Sequence, residues 1–587
     1  MGIKKFFGWC KNRFSDDIHH LKSTETISDL KEESIANVSI DNCMIDMNGL
    51  FHNSAQKAFE YGNHKPPKRL LGYLTRPRDN VSFRTKQQRM FEDVCQTIEQ
   101  VVHILKPKKR LILCVDGPAP RAKMAQQMRR RFVSARELAN EPNRSFDSNC
   151  LTPGTKFMDY LTKYIDWYIR KQVSNPHSVW FNLEIVYSNE KNPSEGEHKL
   201  LSFLRKHGNK EESYCIYGMD ADLIMLVLAS HTQNFYILRE NPIEEDFAYY
   251  FVDMKSYRRD LIELMKWPET KHQYKPENAI NDFVFMCFTV GNDFLPHIPA
   301  IEIVEGGIDM MLNVYKTACE EYGHLTRISS HGVRFRKNAL KIFLGTLSQY
   351  EKGVLENKLA HKDMFFPDAI LERNATFVNG KIELDIEQYR KEYYLQNIPE
   401  LKDTNTLTEE QLCHHYLEGM QWVLSYYTKG VPDWQWKFPY HYAPFAYTIA
   451  KHIDTFEFKE YSQTFPATPF VQLLSILPPN SAHLLPYPLN SLLTSANSPL
   501  APYCPTQFVV DVSGMMNEWE GIVLLPMIDF NTVNNICQQH IEQVDERDRR
   551  RNIVGKSFIY KRGRFSQLFK SVYGDLQSCA ELKVIDI

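Results

Sequence analysis

Five short apolar runs in the first half of the chain, each closed by an acid or a turn, constrain the fold more than any other feature of the sequence. They read "CMIDMN", "RLILCVDG", "LEIVYS", "YCIYGMD" and "NFYILRE". Between them lie stretches with apolar residues at helical spacing, such as "MFEDVCQTIEQVVHIL" and "EHKLLSFLRKHG". This alternation predicts an α/β fold, a mostly parallel twisted sheet flanked by helices in the doubly wound style. Ligands of such sheets bind outside the carboxyl ends of the strands. The acids stand there: Asp46 follows "CMI", Asp116 follows "LILCV", and Asp220 and Asp222 follow "YCIYGM".

Three more acids join them. Glu195 and Glu197 fall in "NPSEGEHKLL", where Pro193 or Ser194 opens a turn into a helix, and Asp293 sits in "TVGNDFLPH" after an apolar run. If these ends converge, the carboxylates share one cleft and cannot all stay ionised without cations, because like charges raise one another's pKa. Hard divalent ions answer this, since Mg²⁺ takes oxygen ligands and keeps several waters. Two such ions about 4 Å apart would stabilise the attacking and leaving oxygens of an in-line phosphoryl displacement. Taken alone, Asp222 reads as a helix cap; acids paired two residues apart, twice over, are harder to explain that way. No other catalytic constellation competes: there is no GxSxG, and "VGKS" at Val554 to Ser557 fails as a phosphate loop because residue 550 is Arg, not Gly.

One of these acids heads a basic stretch, "CVDGPAPRAKMAQQMRRRF", in which Arg121, Lys123, Arg129, Arg130 and Arg131 follow Asp116 with no acid until Glu137. The whole chain carries 70 Lys plus Arg against 72 Asp plus Glu, so only this local clustering speaks about partners. Lys123, Gln127 and Arg130 or Arg131 lie three or four residues apart and share a helical face. A dianionic terminal phosphate would meet several charge-assisted donors there. The bland alternative is a solvated surface or a general contact to a nucleic-acid backbone.

With 587 residues, the chain exceeds a usual domain several times over. Its 12 cysteines include no CxxC pair, which excludes a local zinc ribbon or redox motif; Cys413-His414-His415 reads as helical surface, and free thiols in this number suit a reducing compartment. The N-terminus has no long apolar segment or cleavage site, Phe6 spoils a myristoylation signal, and no run nears the roughly 18 apolar residues of a membrane span. These features predict a soluble intracellular protein. From about Arg336 to Leu407 the pattern turns polar and reads as a connecting region; an aromatic block, "WVLSYYTKGVPDWQWKFPYHYAPF", and the strand-like "GIVLLPMI" follow.

Nine blocks in order resemble the motifs of the XRN-type 5′ to 3′ exoribonucleases: "MGIKKFFGW", "DNCMIDMNGLFH", "VDGPAPRAKMAQQMRRRF", "FDSNCLTPGTKFM", "SEGEHKLLSFLR", "YGMDADLIMLVLASH", "VGNDFLPHIPAIEI", "WQWKFPYHYAPF" and "NEWEGIVLLPMI". The resemblance implies a PIN/FEN-like nuclease core over residues 1–335, a linker at 336–408, a second, mainly helical region at 409–555 that wraps the core and completes the active site, and a short C-terminal segment, 556–587. Its metal-binding acids fall on the seven picked out above, and it implies two Mg²⁺ or Mn²⁺ ions. As substrate it implies single-stranded RNA with a 5′-monophosphate, degraded processively to nucleoside 5′-monophosphates. By the same resemblance Lys123, Gln127, Arg130 and Arg131 form the 5′-phosphate pocket, and His52 and Trp519 sandwich the 5′ bases. Such stacking suits any sequence because every base has a π-face.

Ser194 replaces the glycine usual in this family before the first Glu, and Pro118 and Ala125 are further departures; none removes a ligand. The expectation is a compact, stand-alone monomer acting in mRNA decay, with a functional link to a decapping activity and no membrane. The absence of a strong Lys/Arg import cluster points to the cytoplasm, while "DRRRN" leaves the nucleus open. Two rivals stand beside this reading, a structure-specific flap endonuclease and a non-catalytic binder of RNA ends.

Overall fold

A computed structural model describes residues 5–30, 38–64, 81–140, 146–242, 246–268, 271–303, 306–330 and 332–587. Its centre is a nine-stranded sheet: β1 Ile18–Leu21, β2 Asn42–Asp46, β3 Arg110–Cys114, β4 Glu184–Ser188, β5 Tyr214–Tyr217, β6 Phe235–Glu240, β7 Tyr249–Asp253, β8 Ser557–Phe569 and β9 Leu576–Ile585. The spatial order is β1-β7-β6-β5-β2-β3-β4-β8-β9. The five strands from β6 to β4 run parallel, as the alternating pattern predicts, and antiparallel strands close both sides. From β2 the chain adds β3 and β4 on one side, then crosses to place β5 and β6 on the other. The junction of β2 and β5 is therefore a topological switch point, where the strand ends part and leave a crevice.

The parallel strands are apolar throughout because both faces are covered. Met44, Ile112, Val186 and Ile216 point into one core and their neighbours Ile45, Leu111, Ile185 and Cys215 into the other, following the two-residue period of a strand. The helices that matter for the site are α1 Met47–Phe59, α2 Arg121–Asn140, α3 Lys156–Ser174, α4 Gly196–His207, α5 Leu223–Ala229, α6 Lys337–Ala360, α7 Glu409–Lys429 and α8 Pro469–Ile476. Helix α4 packs on β2 and β3 at the first face, with α5, α6 and α7 joining the same core, and α1 and α3 belong to the core of the second face. A third core joins Met124, Met128 and Phe132 of α2 to Phe470, Leu473 and Leu474 of α8.

Residues 336–408 are more than a connector. Leu340, Phe343, Leu344 and Leu347 of α6 are buried in the same core as the sheet, so the polar surface of this stretch hid an apolar stripe that packs inward. Beyond α6 lie a small antiparallel pair, Ala375–Val378 with Lys381–Leu384, and the helix Ile386–Asn397. The C-terminal segment also enters the fold: β8 pairs antiparallel with β4 through Phe558 to Tyr560, and Tyr560 Oη donates to Asp166 Oδ1 of α3 at 2.5 Å. All twelve cysteines carry free thiols, and no helix among the described residues is long and apolar enough to cross a membrane.

Candidate active site

The carboxylates come from the strand ends. Asp46 ends β2, Asp116 lies two residues beyond β3, Glu195 and Glu197 open α4 after β4, and Asp220 and Asp222 lie between β5 and α5. Asp46, Asp222, Glu195 and Glu197 are buried. Ligand oxygens of Asp46, Asp116 and Glu197 all lie within 4.8 Å of one another, as do those of Glu195 and Glu197 with a ring nitrogen of His198.

Asp46 caps α1, its Oδ1 accepting from Asn48 N at 3.4 Å, but capping does not account for Glu195 or Asp222. Glu195 and Asp222 occupy the N-cap positions of α4 and α5, yet neither side chain accepts a capping hydrogen bond. Asp222 Oδ1 is buried and has no hydrogen-bond partner. Burial, then Asp116 and Asp220, holds the Asp46 carboxyl well above the usual range. Glu197 is raised by burial, then by Glu195 and Asp46, and Asp222 is pushed up to about 7 by burial, then by Asp220 and Asp293. Desolvation drives these shifts and mutual repulsion adds to them, and a bound cation would reverse them. The all-oxygen set of acids and the orphaned Asp222 oxygen fit divalent metal ions of the hard type.

Two glycines let the strand ends meet. A Cβ on Gly196 would stand 2.5 Å from Asp46 Oδ1 and 3.4 Å from Asp116 Oδ1, and its N–H donates to Asp116 Oδ1 at 2.7 Å. A Cβ on Gly117 would overlap the Asn192 carbonyl. Gly117 N donates to Ser194 O and Ser194 N to Pro118 O, each at 2.9 Å, which ties the loop bearing Asp116 to the loop bearing Glu195.

Lys123, expected in a phosphate pocket, stands among the acids. Its Nζ pairs with Glu195 Oε2 and, at 2.6 Å, with Asp293 Oδ2. Gln127, one turn on, accepts from Gln472 Nε2 of α8 at 3.2 Å, and Gln472 Oε1 accepts from Ala119 N at 2.8 Å. Arg130 and Arg131 stand near His52: burial first, then these two cations, lower the imidazole to about 3 and keep it neutral. Arg131 Nε is buried without a partner, and burial followed by Arg130 brings its guanidinium down to about 10. An anion at this spot would relieve both arginines. Trp519, the other expected platform, is 63% exposed on the turn Glu518–Glu520, whose Glu520 pairs with Lys5 at 3.0 Å.

Three residues of the site escaped the sequence reading. Lys199 of α4 is buried beneath the acids, where its Nζ donates to Val115 O at 2.6 Å and Asn189 O at 2.9 Å, joining the ends of β3 and β4. Tyr426 of α7 donates to Glu195 Oε1 at 2.8 Å, and its ring stacks on His198 with centroids 3.7 Å apart. Asn48 Oδ1 accepts from Asp116 N at 3.0 Å. Lys199 could have been suspected from its place two residues after Glu197 on a helix entering the crevice; Tyr426 was hidden in an aromatic block that reads as packing. Much of that block does pack, with Trp436 stacked on Trp422 at 4.9 Å.

Fold and site together define a class: α/β proteins with an open, mostly parallel sheet, a carboxylate crevice suited to divalent metal at its switch point, and a cationic helix beside it. Comparison with known proteins makes the family specific. Residues 1–241 match the XRN 5′-3′ exonuclease N-terminus, and residues 273–379 and 368–583 match the Xrn1 helical domain. This chain belongs to the XRN 5′-3′ exonuclease family. It is 30% identical to the human 5′-3′ exoribonuclease 1, covering 94% of this chain and 35% of the relative, and 27% identical to the Saccharomyces cerevisiae 5′-3′ exoribonuclease 1, covering 100% and 47%. With the Drosophila melanogaster 5′-3′ exoribonuclease 2 homolog the identity is 26%, covering 95% and 73%. The chain thus spans between a third and a half of the first two relatives. A solved structure, the catalytic core of Rad2 with a DNA substrate, gives a TM-score of 0.30 at 12% identity, covering 67% of this chain and 94% of that one; a score this low carries no argument.

Proposed function

We propose that the chain is a 5′ to 3′ exoribonuclease that removes nucleoside 5′-monophosphates processively from single-stranded RNA bearing a 5′-monophosphate. The observation that carries this reading is the joint placement of a carboxylate crevice and a cationic helix end. Asp46, Asp116 and Glu197 form one group of ligand oxygens, Asp222 lies in the field of Asp220 and Asp293, and Lys123 pairs with both Glu195 and Asp293. Two Mg²⁺ or Mn²⁺ ions would be held by these acids, and when bound they supply an activated water and stabilisation of the leaving 3′ oxygen.

The protein's own groups do the rest. Arg130 and Arg131 present charge to the terminal phosphate, Gln127 offers a neutral donor beside them, and Lys123 stands where acid cluster and phosphate site adjoin. The neutral His52 offers a ring face to the 5′ base, and Trp519 offers another. Lys199 and Tyr426 hold the carboxylates in register without touching substrate.

The test supplies Mg²⁺ and 3′-labelled RNA ending in a 5′-monophosphate, a 5′-hydroxyl or a 5′-triphosphate. Rapid loss of the monophosphate substrate alone, without long intermediates, is expected. Discrete internal cuts would instead identify a flap-type endonuclease, and tight binding without products a sequestering protein.

A further inference from the structure

Behind α2, on the face turned away from Lys123 and Gln127, two cavities meet at one residue. The smaller, about 40 Å³, is bordered by Arg129 and Lys437; the larger, about 620 Å³, by Tyr389, Tyr393, Asp368 and Asp511; His441 stands in the wall of both. The smaller holds roughly three waters, the room a phosphoryl group needs. The larger lies within the range of small-molecule sites.

The chemistry changes along this line. At the small end two cations lack a carboxylate at ion-pair distance among the described residues: Arg129 Nε donates only to Ala125 O at 3.3 Å, and Lys437 Nζ to Ile528 O at 2.9 Å. In the middle, His441 Nε2 faces the Leu525 carbonyl at 3.0 Å and must carry the hydrogen, which leaves Nδ1 an acceptor; that atom is buried and has no partner. Burial, then Arg129, lowers this imidazole to about 4, so it stays neutral. At the large end buried tyrosine rings and the carboxylates of Glu302, Asp368 and Asp511 line the wall with Lys358, whose Nζ pairs with Glu302 at 2.9 Å, and Asp511 Oδ2 accepts from Tyr442 Oη at 2.6 Å.

We propose that the two cavities form one binding site for a nucleoside 5′-monophosphate. Its phosphate lies on Arg129 and Lys437, a ribose hydroxyl donates to His441 Nδ1, and the base lies against Tyr389 and Tyr393. The order of cations, lone acceptor and aromatic wall matches the order of phosphate, ribose and base, and the large cavity, where Glu302, Asp368 and Asp511 outnumber Lys358, disfavours a second phosphate. This is distinct from the crevice of acids, and binding there does not require hydrolysis, although the ligand has the composition of the proposed product. Residues 509–515 with Ile522 and Leu524, which flank the turn bearing Trp519, wall the base end, so an occupied site would brace that turn.

The test titrates the full chain with AMP by calorimetry in EDTA, beside Arg129→Ala, His441→Phe and Arg131→Ala. Arg129→Ala is expected to weaken AMP at least about tenfold, the loss of one charge-assisted contact, while Arg131→Ala leaves this binding in place. His441→Phe should erase the preference for AMP over 2′,3′-dideoxy-AMP. Binding lost in Arg131→Ala but kept in Arg129→Ala, or no binding at millimolar AMP, overturns the proposal. If Arg129→Ala does not fold, the His441→Phe ratio decides. Hydrolysis of 5′-monophosphorylated RNA is measured separately, so a failure of the hydrolytic reading leaves the titration intact.

Discussion

At the scale of single residues, the backbone at the mouth of α4 sets the crevice. At Gly196 an added Cβ would press on Asp46 Oδ1 at 2.5 Å. Gly196→Ala is expected to push the acids apart and lower hydrolysis of 5′-monophosphorylated RNA about 100-fold, since displacements near 1 Å cost that much in a preorganised site. A rate within a few-fold of wild type, at saturating Mg²⁺, would show that the acids do not need this close approach. Two residues earlier, Ser194 has φ of +92°, a conformation in which a side chain is strained. Ser194→Gly relieves that strain and adds freedom to the unfolded chain. A net gain of less than about 1 kcal/mol is expected, read as a small rise in the urea midpoint; a fall would mean that the seryl side chain contributes more than the strain costs.

At the scale of elements, α7 reaches the crevice from the second region through one hydroxyl. Removing it in Tyr426→Phe leaves a buried Glu195 oxygen without its donor, a loss of about 1–3 kcal/mol that corresponds to roughly 5- to 150-fold in rate if felt in the transition state. The phenyl ring keeps its stack on His198, so the melting temperature should move little while the Mg²⁺ concentration for half-maximal rate rises. An unaltered Mg²⁺ dependence would make Tyr426 a packing residue only. The hairpin β8–β9 is the other element with a distant effect. It covers the edge of β4, and a chain truncated after residue 556 exposes the unpaired edge of a buried sheet. Light scattering should show that truncated chain aggregating well below the melting temperature of the full one.

At the scale of the whole molecule, the crevice gathers buried carboxylates whose repulsion a bound cation would relieve. Asp222 titrates near 7 in the folded state against an ordinary Asp value near 4. Between those values the folded chain binds a proton that the unfolded chain does not, so stability falls as pH rises from about 4 to about 7. In EDTA the melting temperature is expected to drop across this window, and saturating Mg²⁺ to remove most of the drop. Parallel curves with and without Mg²⁺ would separate the acids from metal binding.

The parallel core was legible in the sequence because a strand buried on both faces must be apolar along its length, and the strand ends near Asp46, Asp116 and Asp220 were marked where a carboxylate interrupts the run. Local signals of that kind also found α2 and its cations. Partners brought from far along the chain were not legible. Lys123 shares a helical face with Gln127 and Arg130, and that spacing cannot say whether the face meets a phosphate or the Asp293 carboxylate, 170 residues away. The hydroxyl of Tyr426 on Glu195 spans 231 residues, and the pairing of β8 with β4 brings Phe558, Ile559 and Tyr560 of the C-terminal segment against Tyr187, Val186 and Ile185 of the first half. Periodicity fixes which residues face inward together, whereas the identity of what they meet is decided by long-range packing, in which many apolar surfaces of similar shape compete and only the assembled tertiary structure selects one.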